Sequence, residues 1–370
     1  MAAASASLGR CGVTPTLGRR LGQAGTVGAL AVAVAAPWLT DPYTTSLLAR
    51  TLVLGLVGVS VALLTGIAGL PTLGQTGPYA AGAYAGAVVG LHVSPVGVVQ
   101  VLVGAAAGAL FGALTVPLVV YARGVVVLMI TLAIGELTVT AASRWRSVTG
   151  GTDGLAGMPA VQPVWGMGVL DSDRARYLYI LIVVAVVVAV VLTVLRTPAG
   201  LLLRASRDDE ARMRASGHRV TGYFAVAFVA AGALAGIAGS LLVTAQQYVS
   251  PADFGFEVSA LLLLGVVIGG ATSVGGAIAG TALVLAVRDW FAGLLPGQAP
   301  LLLGGLFVVT AYLFPRGVAG FSAGVATLLR TRTRRGTARP DPGGPGEGPV
   351  PALAAPVRGG RAHRGPGAGT

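Results

Sequence analysis

Lysine is missing from this 370-residue chain, whose 25 basic side chains are all arginine. A P-loop reaches its phosphates with the lysine of G-x-x-x-x-G-K-[ST], so the chain holds no nucleotide site of that kind. Cysteine is almost missing too. Cys11 stands alone, which excludes an internal disulfide and leaves no thiolate cluster for a metal. His92, His218 and His363 are scattered without ligand spacing. No His, Cys and Ser combination marks a catalytic constellation, so a membrane enzyme is disfavoured. Charge of either sign is scarce, at 10% of residues.

Apolar residues fill the space, at 54% of the chain with a mean hydropathy of +0.81. Soluble domains balance apolar and charged residues more evenly. Apolar runs of about 18 residues or more recur along the length, as membrane-spanning helices require. No ten-residue segment alternates cleanly, so barrel strands are not expected. The reading is an all-α integral membrane protein, a polytopic bundle of about ten transmembrane helices. The runs lie at 24–39, 47–69, 72–91, 96–121, 125–143, 177–195, 222–245, 258–275, 276–295 and 299–315. The 57 glycines read as close helix packing rather than disorder. The first run is short and follows Arg10, Arg19 and Arg20; it is read as a retained span, with a cleaved signal peptide as its rival. The third, PTLGQTGPYAAGAYAG, is interrupted by Pro71, Pro78 and glycines, and is read as broken or re-entrant. Such backbone is tolerated only where protein or a wet cavity surrounds it.

With the N-terminus inside and ten spans, nineteen arginines fall inside and six outside. Without the C-terminal tail the ratio is ten to six. Trp38, Trp145, Trp165 and Trp290 all fall at or beyond outer span ends, where amphipathic rings are favoured. The excess positive charge therefore reads as inside-positive topology rather than nucleic-acid binding. The organisation expected is a cytoplasmic segment 1–23, a membrane domain 24–320 and a disordered Arg/Pro/Gly-rich cytoplasmic tail 321–370. The membrane domain carries an outer loop 144–176, turning at TGGTDG, and a cytoplasmic loop 197–221.

That loop concentrates the charge. GLLLRASRDDEARMRASG (200–217) holds Arg204, Arg207, Asp208, Asp209, Glu210, Arg212 and Arg214 within eleven positions. Asp208 and Arg212 are four apart, as are Glu210 and Arg214, so the pairs support a short exposed helix that stops at Gly217. Three consecutive acids and a helix stop exceed what a solvated inside-positive loop needs; a docking surface for another protein accounts for both.

The stretch RASRDDEARMRASGHRVTGYFAVAFVAAGALAGIAGSLL (204–242) resembles the cytoplasmic loop and following span of the permeases of bacterial branched-chain amino acid ABC importers. The matching residues are Arg204, Ala205, Arg207, Asp209, Glu210, Gly217, Ala235, Gly236, Ala238 and Gly239. Three further stretches resemble the family in order: TLGQTGPYAAGAY (72–84), TLAIGELTVTAASRWRSVTGGTDGLAGMP (131–159) and YVSPADFGFEVSALLLLGVVIGGATSVGGAIAG (248–280). The T-G-G-x-x-G-L loop is similar to that of the M-type subunits of this Liv family. Together the likeness spans residues 50 to 320. Arg212, Met213, Arg214, Ser273 and Ala277 depart from the family pattern.

The resemblance implies a permease subunit paired with a second, H-type permease, served by two ATP-binding cassette ATPases and an extracytoplasmic substrate-binding protein. Arg204, Arg207, Asp208, Asp209, Glu210 and Gly217 would form the coupling helix gripped by an ATPase. ATP would be used by those partners, and no cofactor is expected on this chain. Branched-chain amino acids are the implied cargo, with urea, short-chain amides or another small solute as the alternative.

Within the membrane, Glu136 is the deepest acid. An ionisable group there costs roughly 2.5–3.5 kcal/mol on insertion scales, so it lines a path or makes a polar contact between helices. Gln75 and Tyr84 flank the broken third run and either border the path or pack helices. Glu257 and Ser259 open the eighth span as caps or ligands; Asp153 makes a turn with Gly154. Arg288 is expected to pair with Asp289. A self-sufficient secondary transporter, the alternative from another class, would show intramembrane charge pairs and no docking loop.

Overall fold

The computed structural model describes residue 28 and residues 31–122, 124–166, 168–294 and 304–305. The N-terminal segment 1–23, the tenth run and the tail 321–370 lie wholly or largely outside them. Helix α1 occupies 31–39. It is followed by α2 (Pro42–Ala62), α3 (Thr76–His92), α4 (Gly97–Val119), α5 (Val125–Arg144) and the short α6 (Arg146–Thr149). Next come α7 (Asp173–Val194), α8 (Pro198–Asp208), α9 (Glu210–Ala215), α10 (Val220–Gln246), α11 (Phe256–Gly269) and α12 (Val274–Leu294). Six stretches among the described residues are long and apolar enough to cross a membrane: Pro42–Ala68, Gly97–Val119, Val125–Arg144, Asp173–Val194, Val220–Gln246 and Pro251–Gly269. The protein is an all-α, multi-pass membrane protein.

Local chemistry sets the helix starts. Pro42 opens α2 at a position whose N–H would be unsatisfied anyway. Ser172 caps α7, its Oγ accepting from the Ala175 amide at 3.2 Å. Ser250 and Asp253 form a reciprocal capping box on the 3-10 turn Pro251–Phe254 that leads into α11. The only paired strands among the described residues, β1 (Leu155–Ala156) and β2 (Tyr248–Val249), tie the loop after α6 to the end of α10.

The third run is not broken in its middle. Its irregular part, 69–75, precedes α3, and Pro78 sits in the first helical turn, where a missing N–H costs nothing. Thr72, Gly74 and Gln75 of that non-helical stretch are buried, and two of its amides are met by side chains. The Leu73 amide donates to Thr131 Oγ1 at 3.2 Å, and the Gly74 amide to Thr72 Oγ1 at 3.2 Å. The eighth span ends earlier than expected, at Gly269, because Gly270 turns to φ 96° and starts the hairpin into α12.

Helix α2 lies at the centre and touches α7, α10, α11 and α12. Val53, Leu56 and Val57 on it are fully buried. Against α10 pack α3 and α4, through a seam of small residues. Gly104, Gly108 and Gly112 recur every four residues on α4 and face Gly236, Gly232 and Phe228 of α10. A Cβ on Gly104 would stand 2.8 Å from the Gly236 carbonyl oxygen, and one on Gly112 2.8 Å from the Phe228 oxygen. Lipid chains are as apolar as leucine, so such helices associate by backbone closeness rather than by a hydrophobic gain.

Gly236→Val is expected to cost about 1–3 kcal/mol or more through overpacking and to lower the melting temperature of the purified protein. Gly222→Ala, on the same helix with nothing within 4 Å of its added methyl, is the control and is expected to leave it unchanged or slightly raised. Equal melting temperatures for the two variants, read by tryptophan fluorescence, would contradict the seam.

Candidate functional site

The charged stretch forms two helices rather than one. Pro198 starts α8, and the chain extends at Asp209, φ −154° and ψ 90°. Asp209 then caps α9, its Oδ1 accepting from the Arg212 amide at 2.9 Å. An aspartate that bonds a backbone amide three residues on competes with helix continuation, which is why the run divides there. The expected Asp208–Arg212 pair is accordingly replaced by Asp209–Arg212 at 3.3 Å. Glu210–Arg214 forms as expected, at 2.7 Å. Gly217 ends α9 with φ 85°, and the His218 amide bonds the Met213 oxygen at 3.1 Å.

One face of α8 is seated on the bundle. Leu203 and Ser206 are buried, and Leu203 joins Leu63, Leu64, Ile67 and Phe224 in one apolar cluster. Arg207 reaches the end of α2: its Nη1 donates to the Gly66 carbonyl, and its aliphatic stem lies over Gly69. Gly66 belongs to the π-helical turn Leu63–Ala68 that continues α2. Arg204 and Asp208 stay on the exposed side. The six charged-loop residues thus divide: Arg207 grips the membrane bundle, Asp209 and Glu210 shape α9, Gly217 stops it, and Arg204 and Asp208 face outward.

The intramembrane candidates are not brought together. Gln75 and Tyr84 are buried at 4% and 8% exposure, while Glu136 lies on an exposed face of α5 beside Leu137. Gln75 Oε1 accepts from Ser60 Oγ at 3.3 Å and borders a cavity of about 10 Å³, room for one water, with Thr72 and Thr131. Tyr84 packs its ring on Phe254, centroids 5.8 Å apart. Asp153 carries its carbonyl to the Tyr248 hydroxyl at 3.0 Å across the glycine turn.

Two ion pairs depart from the sequence reading. Arg288 pairs with Glu257 at 2.9 Å rather than with its neighbour Asp289. Adjacent residues on a helix point about 100° apart, so i,i+1 neighbours do not face each other. Arg50 approaches Asp253 at 3.8 Å, because the capping-box turn folds that carboxylate inward. Asp253 is thus a second acid within the candidate spans, beside Glu136. Ser259 Oγ and Thr76 Oγ1 bond at 2.9 Å, joining the first turns of α3 and α11. The S-x-x-D box was a readable signal for the Asp253 turn; nothing in the sequence pairs Thr76 with Ser259 across 183 residues. Among the described residues no three His, Cys, Asp or Glu side chains gather as for a metal.

Residues 43–311 match the family described as branched-chain amino acid transport system / permease component. The chain is 30% identical, over 315 residues, to the high-affinity branched-chain amino acid transport system permease protein LivM of Salmonella typhimurium, covering 78% of this chain and 73% of that one. It is also 30% identical over 318 residues to LivM of Escherichia coli, covering 79% and 73%. No solved structure matches it. Family match and relatives run through the same stretch that holds the charged helices, the glycine seam and the bundle, and on that ground this chain belongs to the permease components of branched-chain amino acid transport systems.

Proposed function

We propose that the chain is one of two permease subunits of an ATP-driven importer and forms, with an H-type partner, the path for branched-chain amino acids. Two separate ATPases supply the energy, and an extracytoplasmic binding protein delivers the solute. The observation that carries this reading is the α8–α9 pair: one face is fixed to the end of α2 through Arg207 and Leu203, and the other leaves Arg204 and Asp208 exposed, with Arg204 at its edge bordering the cleft beside α7. An ATPase gripping that outer face would move α2's π-turn directly. Both termini lie on the cytoplasmic side in this reading, together with α8 and α9.

The second permease covers the open face of α4 and α5. Leu102, Leu110, Leu114 and Leu118 on α4 and Leu137 on α5 are all exposed in the single chain. Glu136 is exposed beside Leu137 on α5, where a partner helix or a wet path between subunits would meet its charge. A carboxylate against lipid alone would be far costlier.

Uptake of labelled leucine is expected to depend on this chain and to be blocked by excess isoleucine but not by urea; urea competition without isoleucine competition would reassign the cargo. Arg207→Ala is expected to lower uptake at least about tenfold, the equivalent of roughly 1.4 kcal/mol, while the ATPase still co-purifies. If ATPase is lost together with uptake, Arg207 acts as a docking contact rather than as the link to α2.

A further inference from the structure

We propose that the cleft where α7, α8 and the start of α12 meet binds an anionic phospholipid. The cleft measures about 700 Å³, within the size range of small-molecule sites. Its apolar walls are Leu192, Leu195, Leu201 and Val274, and its charged groups are Arg196 and Arg204. No acidic side chain lines it. Neither arginine forms an ion pair among the described residues, in contrast to Arg212 and Arg214 a turn or two further on. Of the nearby acids, Asp209 pairs with Arg212 and Glu210 with Arg214, and Asp208, four residues from Arg204 on α8, forms no ion pair with it among the described residues.

The start of α12 adds neutral donors to the same cleft. Ser273 Oγ accepts from the Gly276 amide at 3.2 Å, and the Ser273 oxygen from the Ala277 amide at 2.9 Å. The first-turn amide of Val274, a residue that lines the cleft, has no intrahelical acceptor by construction. Two arginines and a helix N-terminus converge on one open volume, which suits a phosphate.

The apolar surroundings select a lipid over a free anion. The candidate span Asp173–Val194 ends beside the cleft, so Arg196 stands where the chain leaves the hydrocarbon. Ile182, Ala189 and Leu192 form an exposed row along α7 that leads to Arg196, spaced seven and three residues apart, with Ile182 62% exposed. Leu201 is 69% exposed on the other wall. An acyl chain laid along that row puts its phosphodiester between Arg196, Arg204 and the start of α12. Basic pockets between helix ends hold anionic headgroups in this manner. The site is independent of which solute crosses the membrane.

The full-length chain, purified from membranes in mild detergent and challenged with phosphatidylglycerol or phosphatidylcholine, is to be followed by native mass spectrometry. Phosphatidylglycerol is expected to be retained in preference, Arg196→Gln to lower its retention about fivefold, and Arg196→Lys to keep most of it. Ser273→Asp preserves the helix cap but places a carboxylate in the phosphate position, so it folds and is expected to show the same fall. Three results overturn the proposal: unchanged phosphatidylglycerol retention in Arg196→Gln and Ser273→Asp; displacement of the lipid by millimolar inorganic phosphate, which makes the cleft a free-anion site; or unchanged retention with loss of the co-purifying ATPase, which makes it a protein-docking surface.

Discussion

In a bilayer, helix–helix contact gains nothing over helix–lipid contact from the hydrophobic effect, so α3, α4 and α10 are held by how closely their backbones approach. Glycines at 104, 108 and 112 meet glycines at 232 and 236, leaving no room for a methyl group. The packing of α3 and α4 against α10 depends on that seam. It places α3 so that Thr76 meets Ser259 and Gln75 meets Ser60. A looser seam would separate those hydroxyls and leave buried polar groups unpaired in a medium that offers them no water.

The second organising feature is the way charge is handled. Near the spans it is paired: Arg50 with Asp253, Arg288 with Glu257. At the other end of the bundle it is sorted. One arginine, Arg207, is turned onto a backbone carbonyl of α2; two are neutralised within α9; Arg196 and Arg204 are left open over an apolar cleft. Surface ion pairs such as those of α9 contribute little energy, so their use here is geometric. They hold α9 in a fixed direction after the break at Asp209.

Much of the architecture was legible in advance because hydrophobic run length reads directly onto membrane thickness. The observed α7 and α10 begin within a few residues of the runs at 177–195 and 222–245, and the hairpin partner α12 coincides with 276–295. The charged stretch was recognisable as helical and as a surface. Its division was not, although the cue is local: Asp209 can cap a new helix or continue the old one, and the i,i+4 pattern fits both. The third run, read as broken, is irregular only in its first residues, 72–75; Pro78 falls in the first turn of α3, where a proline interrupts nothing.

By itself the sequence determined the solvent of this protein, its helical class, its likeness to a transport family and the places where charge collects, since each depends on composition and short-range spacing. Only the tertiary structure decided which partner each charge has. Arg207 finds the Gly66 carbonyl across 141 residues, Arg288 passes over Asp289 for Glu257, and Glu136 faces out of the chain rather than into it. Those outcomes follow from helix rotation and register, which the glycine contacts fix in space and which no pattern along the chain encodes.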